Sequence, residues 1–168
     1  GTSSAAIAHA MGIDDGEKME FADFYRCVQQ IKVHTQLPLS VDIEAGYSQD
    51  PLEVASYIKS LAKLGVEGIN IEDSKMIEQR SLVDKQQFTE FLKVIIEQLR
   101  KESIDMFINA RTDVFLLGVA EPVVQAGARI KAYQEVGVDG IFVPGVVSEN
   151  DIKALADCST LPLNVMCM

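Results

Sequence analysis

No apolar run in this chain reaches the ~18 residues that a membrane-spanning helix needs. The start, Gly1-Thr2-Ser3-Ser4, lacks a basic n-region, so no signal peptide is expected there. Cationic excess is missing as well. The formal net charge is −10, which repels nucleic acid and anionic membranes, so neither is an expected partner. Cysteine is scarce: Cys27, Cys158 and Cys167 show neither a CxxC nor a His-linked metal spacing. An odd, unpatterned set fits reduced thiols and a cytoplasmic setting. No low-complexity stretch or linker interrupts the 168 residues, and 48% of them are apolar. Disorder is thereby excluded, and one domain with a substantial core is expected over 1–168.

What the chain does contain is an alternation of two kinds of segment. Short β-branched apolar runs occur at Leu39–Ile43, Gly68–Ile71, Met106–Ala110, Gly140–Val143 and Leu163–Met166. Gly1–Ser4 reads as the tip of a further strand. Between them, Glu20–His34, Pro51–Leu64, Asp84–Lys101, Pro122–Val136 and Glu149–Leu155 carry apolar residues at helical spacing. Asp50-Pro51 predicts an N-cap followed by a first-turn proline. Gly65 and Gly137 predict left-handed helix stops. Both open matching phrases, Gly65-Val66-Glu67-Gly68-Ile69 and Gly137-Val138-Asp139-Gly140-Ile141, a weak repeat of one βα unit.

Strand–helix alternation predicts a parallel sheet. On pattern alone, a doubly wound sheet and a barrel are both open. No Gly-rich phosphate loop follows the first strand, which counts against a Rossmann unit. A complete (β/α)₈ barrel needs eight strands and usually at least ~200 residues. The expected fold is therefore α/β, a (β/α)₈ TIM-type barrel incomplete at both ends. It lacks the first βα unit and the last strand with its C-terminal helices.

Strands buried on both faces should be apolar throughout, so polar residues near their carboxyl ends carry information. Residues two apart on a strand share a face. Asp42 and Glu44 form one such pair, Asn70 and Glu72 a second, and Asn109 and Arg111 a third; Asn164 stands alone in the last strand. In a barrel these sets face the mouth where chemistry is placed. Three neighbouring carboxylates, Asp42, Glu44 and Glu72, call for a hard divalent cation, Mg²⁺ or alternatively Mn²⁺. Arg111 offers a planar fork to a carboxylate or phosphonate. A metal and an arginine facing one pocket would grip a chelating dianion and favour enolate formation. For Asp73 and Asp113, a helix cap or structural ion pair and a direct functional role are both open. His9 and His34 read as surface or capping residues, and Cys27 and Cys158 as packing residues.

The ordered motifs Thr2-Ser3-Ser4, Asp42-Ile43-Glu44-Ala45-Gly46-Tyr47, Ile71-Glu72-Asp73 and Asn109-Ala110-Arg111-Thr112-Asp113 resemble the isocitrate lyase/phosphoenolpyruvate mutase superfamily. So do Tyr133–Phe142 and Pro162-Leu163-Asn164. The resemblance implies that Thr2, Ser3 and Ser4 hold a substrate carboxylate and that Asp15, or its neighbour Asp14, lies beside it. It implies that Asp42, Glu44 and Glu72 occupy metal-shell positions and that Arg111, with Asn164, contacts substrate. It also implies a homo-oligomer, a dimer of dimers with exchanged C-terminal helices. The chain departs from the family after Asp73. The loop Ser74–Ser81 has no cysteine or histidine, which argues against isocitrate cleavage. The lysine usual in the phosphonate branch is Glu78 here, which leaves Lys75 as the catalytic candidate or Arg80 as a substitute.

These features imply a Mg²⁺-dependent enzyme acting on a C–C or C–P bond next to a 2-oxo acid, of the lyase, decarboxylase or phosphonomutase type. Its expected partner is a small 2-oxo acid or phosphonate. A Schiff-base aldolase fits less well, because no lysine lies on a strand end. The competing reading is a non-catalytic homologue that binds a small dicarboxylate or 2-oxo acid.

Overall fold

The computed structural model describes residues 1–14, 16, 18–76 and 78–166. Five parallel strands form one sheet: β1 (Leu39–Asp42), β2 (Val66–Glu72), β5 (Phe107–Arg111), β6 (Gly140–Val143) and β7 (Leu163–Val165). They are hydrogen-bonded in the order β1-β2-β5-β6-β7. The order never reverses, so each crossover steps the same way. That is the winding of a barrel wall, and it removes the doubly wound alternative. The sheet is open, as expected for an incomplete barrel.

Helix α2 (Phe21–Val33) precedes β1, and α3 (Pro51–Lys63), α4 (Lys85–Lys101), α5 (Pro122–Val136) and α6 (Glu149–Cys158) supply the crossovers. Successive helices pack side by side. Asp50 caps α3 by accepting the Leu52 N–H at 2.9 Å, as its sequence predicts. Gly137 ends α5 at φ 93°, a left-handed conformation that glycine adopts without steric cost. No described helix is long and apolar enough to cross a membrane.

The two faces of the sheet differ in chemistry. Val41, Ile43, Ile69, Ile71, Ile108, Ala110, Ile141 and Val143 are all buried on the outer face, beneath the helices. The inner face carries Ser40, Asp42, Asn70, Glu72, Asn109, Arg111, Phe142 and Asn164 by alternation. Asn109 donates to Asn70 Oδ1 at 2.8 Å, and Asn164 donates to Asn109 Oδ1 at 3.1 Å. This amide ladder passes over Gly140, where a Cβ would stand 2.8 Å from Asn109 Oδ1.

Three expectations need correction. Gly1–Ser4 does not form a strand; Ser3 caps a short helix, α1 (Ser4–Ala10), which the apolar periodicity did not announce. Thr2 still runs beside β1, donating its N–H to the Ser40 carbonyl at 3.0 Å. Strand β1 stops at Asp42, and Glu44 lies beyond it at φ 50°. Strand parity therefore does not pair Asp42 with Glu44. The segment after β2 is not a plain loop but an antiparallel hairpin, β3 (Ser74–Met76) with β4 (Arg80–Leu82). Three-residue strands are too short for a periodic signal.

Replacing Ile69 with alanine, on the fully buried outer face, is expected to cost about 2–5 kcal/mol in urea unfolding. Ser40→Ala on the exposed inner face should stay within about 0.5 kcal/mol.

Candidate active site at the carboxyl ends of the strands

Strands β1, β2 and β5 end side by side and deliver Asp42, Glu72 and Arg111 to one place. The register pairs Asp42 with Asn70, and Glu72 with Arg111. Beyond β1 the chain turns through left-handed residues at Glu44 and Tyr47, with φ of 50° and 61°. Non-glycine residues hold such conformations only when their surroundings determine them. Here the Glu44 N–H donates to Asp42 Oδ1 at 3.0 Å, and the Glu44 carbonyl accepts the Glu72 N–H at 2.9 Å. These bonds, rather than strand alternation, bring Glu44 to the site. Its carboxylate is buried and accepts the Tyr47 hydroxyl at 3.4 Å.

Arg111 is surrounded by acids. Its Nε and Nη2 donate to Asp113 at 2.6 and 3.3 Å, a two-point grip on one carboxylate. Its Nη1 lies 3.1 Å from Glu72 Oε2 and 3.5 Å from Asp42 Oδ2. Its guanidinium carbon stands 5.8 Å from the centre of the Phe142 ring. The fork expected to face substrate is thus turned onto Asp113, with Nη1 directed to the other acids.

A second guanidinium enters from the hairpin. Arg80 pairs with Glu72 Oε1 and reaches Ser74 Oγ at 3.2 Å and Asp113 Oδ2 at 3.4 Å. Ser74 donates to Asp113 Oδ2 at 2.6 Å and to Glu72 Oε1 at 3.1 Å. Sequence reasoning passed over Ser74 and left Arg80 and Asp113 without an assigned place. Arg80 sits six residues after Ser74, and only hairpin pairing across Met76 brings the two together. Strands of three residues carry no periodic signal along the chain that could have found it.

The other candidates are more dispersed. Lys75, on the opposite face of β3 from Ser74, lines a cavity of about 430 Å³ with Glu72, Phe88, Phe91 and Val94. No hydrogen bond or ion pair joins Lys75 to the cluster among the described residues. Asn164 is level with Phe142 in the register but donates to Asn109 and to the Ile141 carbonyl. Ser3 is occupied as a helix cap, and Ser4 is buried in the first turn of α1. Thr2 Oγ1 is buried and has no hydrogen-bond partner among the described residues. Asp15 lies outside the described residues. Asp14 is engaged with Lys18 at 2.7 Å.

Three carboxylates, Asp42, Glu72 and Asp113, thus pair with two guanidiniums, and Glu44 is buried beside them. The Glu72 carboxyl is raised to about 8: burial raises it most, Arg111 and Arg80 pull it down, and Asp113 and Asp42 push it up. Carboxylate oxygens suit a hard cation. Among the described residues, no three acidic, histidine or cysteine groups converge as a ready-made cage. The oxygens of Asp42, Glu44 and Glu72 are nonetheless of the donor type that Mg²⁺ takes, usually with several waters kept.

The family described as phosphoenolpyruvate phosphomutase matches the chain over residues 1–168. A protein of Burkholderia cenocepacia J2315, provisionally named a phosphonomutase, has a solved structure that superposes at TM-score 0.91 with 37% identity. The match covers 99% of this chain and 68% of that one. Oxaloacetate decarboxylase 1 of Pseudomonas fluorescens is 29% identical over 95% of this chain and 55% of its own length. Phosphonopyruvate hydrolase, solved with oxalate and Mg²⁺, shares the fold at TM-score 0.83 and 18% identity, covering 97% of this chain and 57% of that one. The chain spans little more than half the length of its curated relatives, 60% for an uncharacterized Mycobacterium tuberculosis protein.

Glu72 makes a prediction about pH. The folded protein holds its proton up to about 8, whereas the unfolded chain releases it near 4.5. The folded state therefore carries the extra proton between those values. The associated stability is full below pH 4.5 and is lost as pH rises to about 8. In metal-free protein, the thermal midpoint of wild type should fall across this window relative to Glu72→Gln and run parallel to it above. A constant difference across the window would show that Glu72 titrates normally.

Proposed function

The chain belongs to the phosphoenolpyruvate phosphomutase family, and from that premise we propose that it is the carboxylate-bearing part of a Mg²⁺-dependent enzyme. The substrate is a small 2-oxo acid or phosphonate dianion. The reaction makes or breaks the C–C or C–P bond beside its carbonyl. The observation that carries this reading is the crowding of three carboxylates, Asp42, Glu72 and Asp113, around Arg80 and Arg111 at the strand ends, with Glu44 buried beside them. Such a charge pattern accepts a divalent cation and, through the cation and the arginines together, an anion.

Bound Mg²⁺ would supply Lewis acidity toward the substrate carbonyl, favouring electron flow into it as the neighbouring bond changes. Asp42, Glu44 and Glu72 are the residues to hold it. Glu44 is fixed for this by its N–H bond to Asp42, and Glu72 by the Ser74 hydroxyl. Arg111, oriented by Asp113 and by the Phe142 ring, keeps Nη1 directed at the shared space. Arg80 takes the role for which the resemblance suggested a lysine, as an anion-gripping cation carried by the hairpin. Its guanidinium, now paired with Glu72, would be available to a substrate anion if that carboxylate were held by a metal. Thr2, whose buried hydroxyl beside β1 has no partner among the described residues, is the polar group for a substrate carboxylate oxygen.

A second reading, a non-catalytic binder, draws on one observation. Neither Lys75 nor any cysteine or histidine of the hairpin contacts the cluster among the described residues, so the acid–base group has no evident owner. The homo-oligomer implied by the resemblance and the cytoplasmic setting expected from the unpatterned cysteines belong to this proposal as well. Light scattering of the full-length protein tests the former.

Oxalate should bind the full-length protein in calorimetry only when Mg²⁺ is present. Arg111→Ala and Arg80→Ala should each weaken it about 10–100-fold, the loss of a charge-assisted contact. Turnover of oxaloacetate, phosphonopyruvate or a 2-alkylmalate with Mg²⁺ identifies the enzyme. Saturable oxalate binding without turnover of any of them identifies the binder. Failure of oxalate to bind with Mg²⁺ refutes the site.

A further inference from the structure

Below the cluster lies a second set of charged groups that the proposed chemistry does not use. Asp73 and Val83 are the residues just before and just after the hairpin, so they form its two roots. The Val83 N–H donates to the Asp73 carbonyl at 2.9 Å, and the Asp73 N–H donates to the Arg111 carbonyl at 3.0 Å. The Asp73 carboxylate accepts the Asp113 N–H on Oδ1 at 3.0 Å. On Oδ2 it accepts Arg129 Nη1 at 2.9 Å and the Tyr133 hydroxyl at 2.7 Å. Arg129 Nη2 donates to the Val83 carbonyl at 2.9 Å, and Nη1 also reaches Tyr133 Oη at 3.0 Å. One guanidinium on α5 therefore grips both roots of the hairpin.

All of this is buried: Asp73, Asp113 and Tyr133 have no exposed surface, and Arg129 is 6% exposed. A buried ion pair is a poor source of stability, because desolvation cancels much of its attraction. Fold stability alone would be served as well by apolar packing of α5. What apolar packing cannot do is fix direction. The planar fork of arginine reaches a carboxylate and a carbonyl at once, and lysine, a single point charge, cannot reproduce that geometry.

We propose that Arg129 is a positioning residue for the site above it. Arg129 fastens the roots of the Ser74–Leu82 hairpin to α5. Through Asp73 it sets the backbone at Asp113. Asp113 in turn orients Arg111, receives the Ser74 hydroxyl, and contacts Arg80. The chain of contacts runs from the helix to both guanidiniums without touching the ligand space. Tyr133 completes the latch one helical turn from Arg129 and packs edge-on against Phe88 of α4, with centroids 5.3 Å apart. The proposal rests on the anion-site reading for its effect on binding, while its effect on the hairpin stands independently.

The test uses the full-length protein with Arg129→Lys and Tyr133→Phe. Hydrogen exchange is followed by mass spectrometry, and oxalate binding with Mg²⁺ by calorimetry. Leu155→Ala, in the fully buried core of α6, serves as a destabilised control away from the latch. In Arg129→Lys, amides of residues 74–83 should exchange about tenfold faster while those of β1 and α3 keep wild-type rates. Oxalate affinity should fall about tenfold, the equivalent of about 1.4 kcal/mol. Tyr133→Phe, which retains the charge pair, should shift both readouts the same way by a smaller factor. It also decides the question if the lysine variant does not fold. Leu155→Ala should leave oxalate affinity unchanged. Uniform acceleration across the sheet, unaltered hairpin exchange in the folded variants, or equal loss of oxalate binding in Leu155→Ala would overturn the proposal. If wild type binds no oxalate, the anion-site reading fails, and the exchange measurements still decide whether the latch exists.

Discussion

Charge crowding at the carboxyl ends of β1, β2 and β5 is the constraint on which the rest of this molecule depends. Asp42, Glu44, Glu72 and Asp113 are all buried, and two guanidiniums pair with Asp42, Glu72 and Asp113. Carboxylates buried at such density repel one another, and each would shed its charge if left unpaired. The surrounding backbone is arranged to prevent that collapse. The N–H of Glu44 is turned onto Asp42, the Ser74 hydroxyl bridges Glu72 and Asp113, and the hairpin folds back to deliver Arg80. Even so, burial keeps the Glu72 carboxyl high.

The sheet makes this possible by keeping its two chemistries apart. Its outer face is closed by helices over isoleucine and valine, and hydrophobic burial there supplies the stability. Its inner face is lined by amides and, at one end, by ions. The asparagine ladder from Asn70 through Asn109 to Asn164 satisfies the polar groups of the lower layer without ionised groups. Charge is thus confined to the layer above, where the hairpin and the β1–α3 turn enclose it. The Arg129–Asp73–Tyr133 group ties that layer to α5 and so to the rigid body of the fold.

Much of this organisation was legible in the chain. The strand cores and helices follow from apolar periodicity, and Asp50 and Gly137 mark helix boundaries through their side-chain and backbone chemistry. Asp42, Glu72 and Arg111 stand out because charged residues at the ends of otherwise apolar strands require an explanation. Other features left no such trace. Glu44 came to the right place for the wrong reason, since its left-handed turn, and not strand alternation, directs it. The hairpin was hidden by the shortness of its strands. Arg129 and Tyr133 resembled ordinary helix residues at a spacing of four, because their partner Asp73 is more than fifty residues away.

By itself the sequence determined what depends on local spacing: a parallel α/β unit of alternating strands and helices, with acids and an arginine at the strand ends. Hydrophobic periodicity and capping act over a few residues, so they can be read along the chain. Only the tertiary structure decided how those charges are paired. It turned the Arg111 fork onto Asp113, carried Arg80 rather than Lys75 into the cluster, and linked Asp73 to α5. Ion pairing is set by distance in space and by the cost of burial, and neither quantity is encoded in the separation of residues along the chain.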